Sequence, residues 1–495
     1  TLQIAQGLTT EQIVALTTAQ AASLTTTQIL ALTTTQLLTL ETGDLAALKT
    51  SQIGALKTTQ IAQGLTSDQI AALTTAQIAA LTATQLQQGI STVQLVAFTT
   101  EQVAALTTTQ ISSLTTQQVA ALETEDFAAL KASQIVALKT TQIASLTTDQ
   151  VVALTTAQAA SLLTTQLAAL SVANLQAMET TDLAALTTAQ VAGLTTTQAA
   201  SLTTDQLVSL TTAQVEGLTT AQVAALTTVQ VGALETTDVA VLTTRQLAAL
   251  TTAQVAKGLT TDQLVALTTA QVSAFTTAQM VALTTDQVAA FETADIASLK
   301  TTQLAALTTA QVKQGLTTDQ IAGLTTAQVS ALTTAQMVVL TTEQVAAFEV
   351  ADVAALKTSQ VAALTTVQVS QGLTTTQVEA LTTAQVAGLT TAQAASLTTD
   401  QVVSLTTAQV AALTTAQVAA LTVAQIAAIE TADIPALTTA QVVALTTAQV
   451  AALTTDQLIS LKTTQLVALK TTQIAQGMTT DQVVALTTDQ DVSVL

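Results

Sequence analysis

An eight-residue phrase, Leu-Thr-Thr-x-Gln-Val-Ala-Ala, runs through this chain almost without interruption. A repeat this short leaves few folds open. Whatever one unit does its neighbours must also do, and a core can form only between units. Leu218-Thr219-Thr220-Ala221-Gln222-Val223-Ala224-Ala225 is a clean copy, and Leu226 opens the next. Positions are called slots 1 to 8, counted from the leucine.

The phrase spells a short helix. Thr in slot 2 and Gln in slot 5 form a T-x-x-Q capping box: the hydroxyl accepts from the backbone N–H three residues on, and the amide reaches back. With Thr219 as N-cap, Leu218 and Val223 occupy the two positions of a hydrophobic staple. Acids in slot 4 (Glu11, Asp68, Asp149, Asp205) fall in the first turn, where the helix dipole favours them. Of the 14 glycines, 11 directly precede a slot 1 residue, among them Gly7, Gly64, Gly193 and Gly315. A left-handed residue is expected at such a helix exit.

The rival is a β-solenoid with one strand per phrase, since Val, Ile and Thr favour strands. Slots 1 and 6 have opposite parity, so a flat strand would send them to opposite faces. Most units also lack a turn residue, and asparagine occurs once, at Asn174. A third point comes from residues that change together. Seven units carry Glu in slot 2, and each also carries Asp in slot 5: Glu41/Asp44, Glu123/Asp126, Glu179/Asp182, Glu235/Asp238, Glu292/Asp295, Glu349/Asp352 and Glu430/Asp433. Residues three apart touch on a helix and face opposite ways on a strand. The expected fold is therefore all-α, a solenoid of short capped helices, one per octad, with the β-solenoid as the alternative.

The phrase is regular from about residue 8 to 483, so 1–495 is expected to be one array without domain boundaries. Asp491 stands in a normally apolar slot, and the pattern decays over 491–495. The chain opens mid-repeat at Thr1, which fits either a processed leader or the repetitive part of something longer. Nine-residue units ending in Gly64, Gly89, Gly258, Gly315, Gly372 and Gly477 interrupt the eights. From Glu123 to Glu349 the slot 2 glutamates are spaced 56, 56, 57 and 57; the outer gaps, from Glu41 and to Glu430, are 82 and 81. If these acids line one side of the solenoid, the common divisor gives a coil of about 27–28 residues, three to four octads.

Irregular units sharpen the test. Leu163 replaces the capping threonine, and Ser171 with Asn174 makes a weaker box. Pro435, in slot 7, lacks the N–H an α-helix would bond back to Thr431, so its unit must kink or shorten. Apolar slots 1 and 6 should line the inside. Slots 3, 4 and often 7 should face out, as Glu216 and Glu379 in slot 7 suggest. Lysines in slot 2 often follow a glutamate unit (Lys49, Lys57, Lys131, Lys139, Lys300, Lys357), and could pair with it along an edge.

The chain contains no His and no Cys. Nucleophilic catalysis by a Ser–His pair and a zinc site are thereby excluded. The glycines are isolated and form no phosphate loop. A net charge of −20 disfavours nucleic acid and anionic membranes. Thr-Thr interrupts every apolar run, so no membrane insertion is expected. Phe98, Phe127 and Phe291 fall in slots 1 or 6 and read as core. The Glu-x-x-Asp units are the one candidate site. A shared Ca²⁺ is conceivable, but two ligands fall short of the six to eight it takes, and no calcium-loop motif surrounds them. No catalytic, cofactor-binding or metal-binding residue is assigned, and no cofactor is expected.

The run Leu-Thr-Thr-Ala-Gln-Val-Ala-Ala-Leu-Thr-Thr resembles repetitive tracts of very large secreted or surface-exposed bacterial proteins. The resemblance covers nearly the whole chain and implies an extracellular or cell-surface, structural or adhesive role. Uniform repeats favour growth along the axis. The expected function is a non-enzymatic structural protein that self-associates into a filament or stalk by stacking of coils. The alternatives are an α-solenoid binding scaffold or adhesin stalk, and a β-rich functional fibre.

Overall fold

Each octad folds as one helix, capped as its sequence dictates. In residues 218–225 the Thr219 side chain accepts from Gln222 N at 3.2 Å. The Gln222 side-chain oxygen accepts from Thr219 N at 2.8 Å. The helix Thr220–Ala225 then ends at Leu226, whose backbone is extended (φ −56°, ψ 145°). Thr227, also extended, caps the next helix. The computed structural model describes residues 7–489. Apart from Thr480–Asp489, its α-helices are four to seven residues long, and no strand occurs among the described residues. The β-solenoid alternative is thereby overturned. Box and staple fix six residues as a helix before strand pairing could compete.

The glycines depart from expectation. No described residue, glycine included, has a positive φ. The chain leaves each helix through two extended residues, slot 1 and the following cap, so no left-handed exit is needed.

The chain divides into two compact units, Thr1–Ala249 and Leu250–Leu495. Both are built alike. In the first, Thr220–Ala225 packs against Thr196–Ser201 and Thr244–Ala249, each three helices away. In the second, Thr415–Ala420 packs likewise against Thr391–Ser396 and Thr439–Ala444. The side chain of Gln222, however, reaches Leu194, 28 residues back. A coil thus holds three and a half octads, which agrees with the 27–28 residues drawn from the acid spacing. Slot 5 of one coil lies over slot 1 of the coil beneath, and helices cover the joints between helices. Two coils make seven octads, which is why acidic units 56 residues apart, such as Glu123 and Glu179, recur on the same face.

Burial follows the slots. Leu218, Gln222 and Val223 are buried, Thr219, Thr220 and Ala221 exposed, and Ala224 and Ala225 half-buried. Glu216 and Glu379, in slot 7, are exposed as expected. Phe98, Phe127 and Phe291 are core residues, and the Phe275 and Phe291 rings meet edge to face at 6.4 Å.

Four of the nine-residue units absorb their extra residue as a π-bulge, whereas those ending in Gly64 and Gly477 run as seven-residue α-helices, Thr58–Gly64 and Thr471–Gly477. Gln85–Gly89, Gln311–Gly315 and Gln368–Gly372 are π-helical turns. The same bond, from Leu259 N to Gln254 O at 2.9 Å, closes the unit ending in Gly258. A coil containing such a turn lengthens by one residue: Gln320 reaches Phe291, 29 back, whereas Gln344 reaches Leu316, 28 back. At Pro435 the α-helix is lost as expected, and a turn leads into the 3₁₀ segment Ile434–Ala436. Asp491 and residues 491–495 lie outside the described residues.

Candidate functional site: the joints between coils

What holds one coil to the next is the part of the glutamine that the capping box leaves over. Its oxygen is used within the unit; its NH₂ points down to the coil beneath. The Gln222 amide donates to Val191 O at 2.9 Å and Leu194 O at 2.8 Å. Those carbonyls belong to a helix end, where the ladder runs out of donors; Val191 O also accepts from Leu194 N at 3.2 Å. The buried amide is thus fully used, and each joint is tied to the coil above.

This role survives the loss of the threonine. Leu163 makes no side-chain cap, yet Leu163 N donates to Gln166 at 2.8 Å, and Gln166 donates to Ile135 O and Leu138 O at 2.9 and 2.8 Å. Lys357 likewise heads a unit in which Gln360 reaches Val329 O and Leu332 O. In the Ser171 unit the hydroxyl accepts from Asn174 N, the return half of the box is missing, and Asn174 Nδ2 still donates to Leu146 O at 2.8 Å.

The Glu-x-x-Asp units break this rule. Their glutamates take the N-cap position without a side-chain cap bond, as Glu179 and Glu292 show. The aspartates occupy the buried slot 5: Asp44, Asp126, Asp182, Asp238, Asp295, Asp352 and Asp433 are all 5% exposed or less. A carboxylate there has no N–H to offer the coil beneath. Asp44, Asp182, Asp295 and Asp352 each keep one buried oxygen, Oδ2, without a partner. Threonine hydroxyls of the coil beneath, Thr156 for Asp182 and Thr326 for Asp352, partly offset the effect of burial on the carboxyl. At Asp433 the Thr407 hydroxyl donates to Oδ1 outright. Burial, and after it the neighbouring Glu41, pushes the Asp44 carboxyl above its usual 3.8. Burial is also the largest cause raising Asp126, Asp182, Asp238, Asp295 and Asp352. Each of these feels the glutamate of its own unit, and no lysine acts on any of them. The expected Lys pairing therefore does not reach the buried carboxyl.

As a metal cage the units are poor. No cluster of three or more acidic, His or Cys side chains capable of holding an ion is found among the described residues. Nor is any described helix long and apolar enough to cross a membrane.

No curated protein matches the chain. Among solved structures, the leucine-rich repeat-containing protein LegL7 from Legionella pneumophila aligns with 13% identity over 55% of this chain and 85% of that one, with a TM-score of 0.13. The ALTTAQ repeat family matches in thirteen overlapping or neighbouring stretches, the first at 37–75, the next two at 88–116 and 119–156, and the rest running without a gap from 175 to 463. Its name is slots 8 and 1 to 5 of the phrase, read as in Ala185 to Gln190, and its matches take in most of the sequence: the chain belongs to the ALTTAQ repeat family.

Proposed function

We propose that this repeat solenoid is a non-enzymatic structural element that extends by stacking of coils into a filament or stalk, outside the cell or on its surface. One observation carries the reading. Every coil offers amide donors on one side and backbone carbonyl acceptors on the other, so coils add in one direction with no built-in stop. Slot 5 glutamines from Gln36 onward are buried under the next contact. Donor and acceptor sides of this kind fit one another head to tail, a contact that grows without closing. The likeness of the phrase to tracts of secreted bacterial proteins supports the location. The exposed slots 3 and 4 repeat Thr, Ala and Asp, which gives a specific partner little to read. The β-rich fibre has no place in an all-helical chain.

Electron microscopy of the purified chain tests this reading. Filaments that lengthen with protein concentration are expected. Discrete particles of constant length would overturn self-assembly and favour a binding scaffold.

A further inference from the structure

We propose that Asp44, Asp182, Asp295 and Asp352 are proton-closed joints: each holds its carboxyl as the neutral acid and donates the O–H to a backbone carbonyl of the coil beneath, where other units use the glutamine amide. These joints close in the same way whether or not filaments form.

The geometry comes from the repeat itself. Slot 5 side chains meet the slot 1 carbonyl 28 residues back, as Gln190 meets Leu162 and Gln360 meets Leu332. That register sets Asp182 over Leu154, Asp295 over Leu267, Asp352 over Leu324 and Asp44 over Leu16. A side chain of aspartate's length spans the gap, because Asn174 Nδ2 bonds Leu146 O at 2.8 Å. A protonated aspartate is the near-isostere of that asparagine and carries a donor in the same place. An ionised one sets an unpaired oxygen against carbonyl oxygens in a buried joint, at full desolvation cost.

The surroundings carry no compensating charge. The Asp182 helix packs against Thr156–Ser161, which has no charged residue, and Thr204–Val208, which has Asp205. For Asp44 the packed helices are Thr18–Ser23 and Ser67–Ala71, with Asp68. For Asp295 they are Thr269–Val272 and Thr318–Ala322, with Asp319. For Asp352 they are Thr326–Val329 and Thr375–Glu379, with Glu379. Each Asp also faces the glutamate of its own unit, Glu41, Glu179, Glu292 or Glu349. Lys49, Lys300 and Lys357 head the following helices and do not act on the carboxyls; after Asp182 that position is Thr187. The glutamate paired with the aspartate in these four units thus has a reason: a second negative charge keeps the proton on the buried acid.

Linkage gives the sign. A carboxyl raised in the folded state contributes stability at and below 3.8, and loses it as pH rises through its folded value. Glu101 and Glu343, lowered by their own backbone N–H and threonine hydroxyls, act oppositely, and only as pH falls below their usual 4.5. Above about pH 5 only the effect of the raised carboxyls remains.

The test compares thermal midpoints of the full chain at about pH 5 and about pH 8. For the natural chain the midpoint should fall by at least about 2 °C between them. The variant Asp44→Asn, Asp182→Asn, Asp295→Asn, Asp352→Asn keeps a donor in those joints at every pH and should fall by clearly less, with only Asp126 and Asp238 left as raised buried carboxyls. A control, Asp68→Ala, Asp205→Ala, Asp319→Ala, Asp400→Ala, removes the same charge from exposed positions and should keep the natural slope. At pH 5 the infrared C=O stretch of a protonated carboxyl should be present in the natural chain and clearly weaker in the Asn variant. A slope or a band undiminished in the Asn variant, or no protonated band at pH 5, overturns the proposal. So does a pH 8 midpoint restored by calcium chloride and lowered again by EGTA, which would put a cation where the proton is assigned.

Discussion

Within a unit the glutamine matters more than the threonine. Thr219 satisfies one backbone donor at an exposed helix start, and replacing it with Ala should cost about 1 kcal/mol. Gln222 Nε2 serves two buried carbonyls of the coil beneath, and Gln222→Ala should cost about 1–3 kcal/mol for each group left unsatisfied. Urea unfolding of the two variants side by side checks the order; equal losses would mean that the capping box is the glutamine's whole role. Thr219 and Gln222 are legible in the sequence as cap and box partner. The downward reach of the amide is not, because it joins residues 28 apart and no local pattern records it. A signal is present all the same. Slot 2 changes to Lys at 49, 131 and 357, to Ser at 171 and to Leu at 163, while slot 5 keeps a side-chain amide in each of those units. A residue retained after its box partner has gone must be serving something else.

Among the helices themselves, the glycines separate into two kinds. Gly315 lies where a Cβ would come within 3.1 Å of Thr285 O and of the Val288 Cβ in the coil beneath. Gly43, in slot 4, would meet nothing. Gly315→Ala should destabilise by about 1–3 kcal/mol through overpacking. Gly43→Ala should stabilise by up to about 1 kcal/mol through helix propensity. Opposite shifts in unfolding midpoint are the expected result, and shifts of one sign would refute this division. The sequence marks Gly315 as unusual but suggests the wrong cause. A glycine before a new helix looks like a left-handed exit; here it is a point where the π-turn leaves little room for a Cβ against the coil beneath. The break at Pro435 is legible, because a missing N–H is a local fact.

Across each unit of the chain, the coil length sets what can be removed. Deleting residues 218–225 takes out one octad, and every later slot 5 still falls over a slot 1. Deleting residues 220–223 displaces the next coil by half an octad, and its amides then meet the wrong slots. The first deletion should leave far-UV circular dichroism and the melting midpoint nearly unchanged. The second should lower the midpoint by several degrees and open the neighbouring amides to hydrogen exchange. If both behave alike, the half-octad offset has no structural role. The period is recoverable from the acids, since Glu123 and Glu179 stand two coils apart.

That offset has a mechanical outcome. A mason lays each course half a brick along so that no vertical seam runs through the wall. Three and a half units per turn achieve the same bond in this chain: a crack started at one helix end meets the middle of a helix in the next course. Within each compact unit, tension from coil to coil is shared among the amides of successive courses, as at Gln222 and Gln417.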